Sequence, residues 1–210
     1  MTPPRPGRIY AIADAEALAA TPLPAAVAAM AEAGVRWIQV RAKRLPGRDF
    51  YRVLEACCRA VEGSPAALWV DDRADLAALF PVAGVHVGQE DLPPAAVRRV
   101  VGDALWIGRS THDEAQLAAA DGDPDVDVVA VGPVFATTGK LDPGPVVGLE
   151  LVRRARARTA KPLVAIGGID ESNAAEVLAA GADAVAVLGA VCRGDVKDAC
   201  RRLLAAAGPG

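Results

Sequence analysis

The sequence predicts a (β/α)8 barrel, also called a TIM barrel, on three observations. Short apolar runs alternate with helical patterns eight times along the 210 residues, the signature of a parallel sheet covered by helices. The length sits near the lower bound of roughly 200 residues for this fold. Hydrophobic residues make up 52% of the chain but aromatic residues only 4%. A core of Ala, Val, Leu and Ile suits strands buried on both faces beneath helices. The alternative, an open doubly wound sheet, would carry a G-x-G-x-x-G turn after the first strand, and none is present there.

Taken in order, a Pro-rich tail at residues 1–7 precedes a first strand at 8–13 (RIYAIA). Residues 23–33 are Ala-rich with helical spacing and stop at Gly34, a residue suited to the C′ position. The second strand is 37–41 (WIQVR), followed by a helix at 47–61 and a third strand at 67–70. A short helix at 75–80 leads to the fourth strand at 85–87. Prolines open the next helix, 93–100, where a missing N–H costs nothing. Strand five is 105–108 with a helix at 112–120, and strand six is 127–135. A long loop within 131–148 then reaches the helix at 149–158. Strand seven at 163–166, a helix at 172–180 ending at Gly181, strand eight at 184–188 and a helix at 196–206 complete the series. No linker interrupts it, so residues 1–210 read as one domain.

Composition narrows the function. A net charge of -3 argues against a general nucleic-acid binder, and no apolar run reaches membrane-spanning length. The N-terminus lacks the apolar segment of a secretory signal. Cys57, Cys58, Cys192 and Cys200 include no C-x-x-C pair, so zinc and redox motifs are not indicated and the thiols read as small buried or half-buried helix residues. A reduced cytoplasmic setting and small-molecule substrates fit, with room left for a homo-oligomer.

In a barrel of this type the site gathers at the C-terminal ends of the strands. Gln39, Arg41 and Lys43 are spaced two apart, which on a strand puts all three on one face. Ile38 and Val40 then face the helices, and the polar trio faces the barrel mouth as an anion-binding set. Asp71, Asp72 and Arg73 end the third strand, and Gly88-Gln89-Glu90-Asp91 the fourth. Carboxylates at two neighbouring strand ends opposite cations suggest Mg²⁺ shared with substrate phosphates; the bland alternative makes Asp71, Asp72 or Asp91 a helix cap. Ser110-Thr111-His112 follows the fifth strand, where one hydroxyl can cap the next helix and another can serve substrate. His86, inside the fourth strand, reads as structural. Gly167-Gly168 and Leu188-Gly189 end strands seven and eight, where backbone N–H groups can approach a phosphate. The loop within 131–148 has the length of a lid or binding loop.

Together these residues resemble the thiamine phosphate synthase family over nearly the whole chain. The family's Q-x-R-x-K element is Gln39, Arg41 and Lys43, and its N-D-D/R element appears as Asp71-Asp72-Arg73. G-x-H-x-G-Q-x-D runs intact from Gly84 to Asp91, Ser110 precedes T-H, and I-G-G-I supplies Gly168. The G-P-x-x-x-T-x-x-K loop gives Thr137 and Lys140. The resemblance implies joining hydroxymethylpyrimidine diphosphate to hydroxyethylthiazole phosphate, with pyrophosphate leaving first. It implies Arg41, Lys43, Ser110 and Lys140 as catalytic groups, and Asp72 and Asp91 as Mg²⁺ ligands. Gln39, Asp71, Thr137, Thr138, Gly168, Leu188 and Gly189 join Arg41, Lys43, Ser110 and Lys140 in binding substrates. Two departures stand out: Asp71 replaces the family's usual Asn, and Gly139 stands where a second loop threonine is usual. Two alternatives remain at this point. A related thiazole tautomerase would use His112 as acid/base, and a catalytically silent barrel would only bind a precursor.

Overall fold

A computed structural model describes residues 7–18, 21–137 and 144–208 of the chain. The strands are β1 (Ile9–Asp14), β2 (Trp37–Arg41), β3 (Ala67–Asp71), β4 (Gly84–Val87), β5 (Trp106–Thr111), β6 (Val128–Val131), β7 (Leu163–Ile166) and β8 (Ala184–Val187). The helices are α1 (Leu23–Ala33), α2 (Gly47–Ala60), α3 (Ala74–Ala77), α4 (Pro94–Val101), α5 (Glu114–Gly122), α6 (Gly148–Arg158), α7 (Ala174–Ala179) and α8 (Val196–Ala207). The strands close into a barrel in chain order, every pairing parallel, with β8 returning to β1. No helix among the described residues is long and apolar enough to cross a membrane.

Alternation along each strand separates two apolar layers. Ile38 and Val40 join the layer between barrel and helices, while Trp37 and Trp69 belong to the barrel interior with Tyr10, Ile12, Val128 and Val164. The interior is filled by pairing large groups with small ones. Trp37 and Trp69 pack at a tilt with ring centroids 4.8 Å apart, and Tyr10 meets Trp37 edge-on at 5.6 Å. On the neighbouring strand, in register with Trp69, Gly84 has no room for a side chain, since a Cβ there would lie 2.6 Å from the Trp69 ring and 2.5 Å from the Trp106 carbonyl oxygen. At the opposite, N-terminal end two acidic residues repeat one device. Asp127 accepts from the Ile107 N–H at 2.9 Å and from Arg98 at 2.7 Å. Asp183 likewise accepts from the Leu163 N–H and Arg156, both at 2.8 Å. Each carboxylate ties a helix to the start of a strand, a stability role expected of that face.

Several boundaries differ from those read in the sequence. Strand β5 runs on to Thr111, so Ser110 and Thr111 belong to the strand instead of following it. Neither hydroxyl caps α5: Thr111 donates to the Ala130 carbonyl at 2.9 Å, and Asp113 is the cap, accepting from the Gln116 N–H at 2.8 Å. Strand β6 stops at Val131, four residues short of the expected end, because Pro133 has no N–H for the ladder. Val134 and Phe135 nevertheless bond backward to Ile166 and Gly167 at 2.9 and 3.0 Å, so the chain stays against β7. Helix α3 is one turn instead of a run to residue 80, and α7 starts at Ala174 instead of 172. There Asp170 accepts from both the N–H and the hydroxyl of Ser172, holding a turn ahead of the helix. Cys192 lies in no helix; its thiol sits 3.4 Å from the Ile12 carbonyl oxygen, after β8.

The interior packing yields a stability prediction. Gly84→Ala should lower stability by roughly 1–3 kcal/mol, the range for overpacking a filled core, read as a drop in the urea midpoint. An unchanged midpoint would contradict the tight Trp69 contact.

Candidate active site

The site starts from the ends of β1, β2 and β3, which lie side by side. Parallel pairing sets Asp14 opposite Arg41 across β1 and β2. The Arg41 guanidinium pairs with Asp14, lies 3.4 Å from Asp71 and 3.7 Å from Glu16. Lys43, just beyond the strand, pairs with Asp72 and lies 3.5 Å from Asp71. Asp14 is itself fixed, because its other oxygen accepts the N–H groups of Glu16 and Ala17 at 3.1 and 2.8 Å. Below them Gln39 donates to the Tyr10 hydroxyl at 3.0 Å, buried in the barrel. The polar face read from the spacing of Gln39, Arg41 and Lys43 is therefore present, and Gln39 lies deepest in it.

Asp72 is the one described residue other than glycine with positive φ, at 57°. That backbone region is sparsely used by side-chain-bearing residues and concentrates at functional sites. The Asp72 N–H donates to the His86 carbonyl at 2.9 Å, which keeps the bend against β4. No carboxylate of this group caps a helix: α3 has no side-chain cap, nor has α4. Asp91 turns back instead to accept the Gly88 N–H at 2.7 Å.

Electrostatics follow from this crowding. Burial works downward on Arg41, but Asp14 and Asp71 outweigh it and its pKa rises. Lys43 behaves likewise, with Asp71 and Asp72 overriding burial. Asp71 is pushed up, by burial first and then by the charge of Asp72. Its Oδ2 is buried with no hydrogen-bond partner, although both cations lie within ion-pair range of it. Asp72 and Asp91 act on each other, the Asp72 carboxyl shifted up and the Asp91 carboxyl down. Burial leads the upward shift of Asp72; at Asp91 burial also works upward but yields to the Gly88 N–H and Asp72. Two neighbouring carboxyls that influence each other's charge form a place where a hard cation fits. Among the described residues no group of three or more His, Cys, Asp or Glu side chains forms a metal cluster. Mg²⁺ suits such a site, since it keeps waters and takes only one or two carboxylates alongside phosphate oxygens.

Beyond β4 the polar rim continues. His86 Nε2 lies 2.9 Å from the Ser110 Oγ, and Gln89 donates to the Ser110 carbonyl at 2.6 Å. Arg109 donates to the Gly88 carbonyl at 2.6 Å, which pins the loop carrying Asp91 to β5. His112 spends its Nδ1 on the Gly132 carbonyl at 2.6 Å. Across the mouth, Gly168 has close backbone contact with the β6 loop: a Cβ on it would lie 2.5 Å from the Ala136 oxygen. Thr137 is half-buried at the edge of that loop, and Leu188 packs on the interior cluster beside Gly189. Thr138, Gly139 and Lys140 lie outside the described residues, as do residues 1–6 of the tail. Sequence reasoning missed Asp14, although its signal was there: a carboxylate two residues beyond Ile12 on the inward face of β1. It also set His86 aside as structural, although the G-x-H-x-G-Q-x-D element carries that histidine.

Comparison with known proteins accords with this geometry. A family model described as thiamine monophosphate synthase matches residues 9–191. The thiamine-phosphate synthase of Koribacter versatilis is 44% identical over 185 residues, covering 86% of this chain and 87% of that protein. The thiamine-phosphate synthase of Methanoculleus marisnigri is 45% identical over 176 residues, 82% of each. Among solved structures, thiamine phosphate pyrophosphorylase from Pyrococcus furiosus superposes with a TM-score of 0.86 at 31% identity, covering 95% of both chains.

The environment of His86 sets a pH dependence. Burial, aided by the charge of Arg109, lowers its pKa from 6.5 to about 4. The unfolded imidazole takes up a proton near pH 6.5 while the folded one stays neutral until about pH 4. Its contribution is therefore complete above pH 6.5 and is lost as pH falls toward 4, at most about 3 kcal/mol. Urea midpoints measured from pH 7 to 4.5 should fall more steeply for the wild type than for His86→Gln. Parallel curves would contradict a neutral buried imidazole.

Proposed function

The chain belongs to the thiamine monophosphate synthase family and carries its transferase activity; from that premise we propose how the barrel mouth performs the reaction. The enzyme joins hydroxymethylpyrimidine diphosphate to hydroxyethylthiazole phosphate, giving thiamine phosphate and pyrophosphate. The bond from the pyrimidine methylene carbon to the diphosphate oxygen breaks first, and the electron pair leaves with pyrophosphate. The thiazole nitrogen then forms the new bond to that carbon. Such a dissociative step asks for charge stabilisation on the leaving group more than for a strong base.

One observation carries the assignment of roles: Lys43 pairs with Asp72 at the end of β3 and feels Asp91 from the β4 loop, while Arg41 beside it shares Asp71 with Lys43. Arg41 and Lys43 hold the diphosphate, with Thr137, Thr138 and Lys140 assigned to it by the family motif. Because Asp14 and Asp71 already fix Arg41, its guanidinium has little freedom left to lose when the anion arrives. Asp72 and Asp91 would hold Mg²⁺, which would supply positive charge toward a departing diphosphate. Gln39 and Ser110 orient the pyrimidine or its leaving group. Gly168, Leu188 and Gly189 offer backbone to the thiazole phosphate. Asp71, in place of the family's usual Asn, adds its carboxyl between the two cations and so tempers their charge before substrate enters.

Asp91→Ala tests the proposal. Pyrophosphate release should fall roughly 100-fold or more, the scale for losing one charge-stabilising element, and should no longer respond to Mg²⁺, while the urea midpoint changes little. A variant with normal rate and normal Mg²⁺ response would remove Asp91 from the site.

A further inference from the structure

We propose that His86 is the positioning residue for Ser110, donating from Nε2–H to the hydroxyl oxygen so that the Ser110 O–H points at the substrate. This rests on the role given to Ser110 above. The two imidazole nitrogens of His86 have different surroundings. Nε2 lies 2.9 Å from the Ser110 Oγ. Nδ1 is closed off from water and has no hydrogen-bond partner. It faces the Gly108 backbone, where a Cβ would stand only 2.3 Å from it. Register places these groups together: His86 sits opposite Gly108 across β4 and β5, and both face inward with Ser110.

The lone nitrogen fixes the tautomer. A neutral imidazole has one N–H donor and one bare acceptor. A buried N–H without an acceptor is rare and costly, whereas an under-used acceptor is better tolerated. Nδ1 is therefore the bare nitrogen and Nε2 carries the hydrogen. Ser110 then accepts from His86, and its own O–H is left to donate elsewhere. Its backbone is occupied by pairing with β6 and by the Gln89 amide. Accepting a hydrogen bond also makes a hydroxyl a better donor. Ser110 keeps its proton throughout and stabilises the substrate by hydrogen bonding alone. Gly108 follows as a requirement, since any side chain there would displace the ring.

Two measurements test the pairing. In a kinetic double-mutant cycle, His86→Leu should lower kcat roughly 10- to 100-fold, the scale of a misplaced catalytic group. KM for both substrates should change little. His86→Gln, which keeps an N–H donor in reach, should recover most of the rate. Adding His86→Leu to Ser110→Ala should then cost nothing further. Independent, multiplicative losses would overturn the pairing while leaving the role of Ser110 intact. A normal kcat for Ser110→Ala would overturn both. Nitrogen-15 NMR of the unmodified protein near neutral pH gives a second readout that does not depend on a variant folding. The His86 ring should show the Nε2–H tautomer, and an Nδ1–H pattern would overturn the proposal.

Discussion

Two cations held at the end of β2 by carboxylates from its neighbours are the constraint on which the mouth of this barrel depends. Arg41 is largely withdrawn from water, where a charge without a partner is strongly unfavourable, while Lys43 beyond it stays open to solvent. Asp14 from β1 and Asp71 and Asp72 from β3 supply those partners. The partners are themselves placed by the parallel ladder, which brings Asp14 opposite Arg41. Asp72, which pairs with Lys43, takes a left-handed backbone bend. The result overshoots neutrality. Asp14, Glu16, Asp71, Asp72 and Asp91 act on Arg41 and Lys43, and the surplus shows in the raised Asp71 and Asp72 carboxyls, where burial and a neighbouring carboxylate work upward. An anionic diphosphate entering such a place needs a cation with it.

Beneath the charges lies a floor that makes the mouth shallow enough to be a site. Tyr10, Trp37 and Trp69 fill the interior against small residues, with Trp69 over Gly84. Tyr10 also takes the hydrogen bond of Gln39, so the floor joins the polar layer directly. With the lower barrel solid, polar groups that project inward from the strand ends have only the mouth to address. That geometry also explains why a histidine deep on β4 can touch the rim: Gly108 leaves its ring the space to reach Ser110.

Much of this was legible in the sequence for simple periodic reasons. Eight alternations gave the barrel, and the two-residue spacing of Gln39, Arg41 and Lys43 gave the inward polar face. The ends of elements were less legible, because they depend on contacts distant in sequence. Ser110 and Thr111 looked like loop residues until β6 was seen to pair with them. Asp113, not a hydroxyl, caps α5 because Thr111 is already bonded to Ala130. The structural pairing of Asp14 with Arg41 joins residues 27 positions apart, beyond the reach of any local pattern. The tail at residues 1–6 and the loop residues Thr138 and Lys140 fall outside the described part of the chain, so their assignments rest on the motif.

The account turns on a mouth too acidic to accept its anionic substrate unaided. Isothermal titration of the wild-type protein with hydroxymethylpyrimidine diphosphate, in Mg²⁺ and again in a chelator, measures that directly. Tight binding in Mg²⁺ that is lost in the chelator is the result expected. Equal affinity in both would show that Arg41 and Lys43 suffice, and would contradict the reading of Asp72 and Asp91 as a cation site.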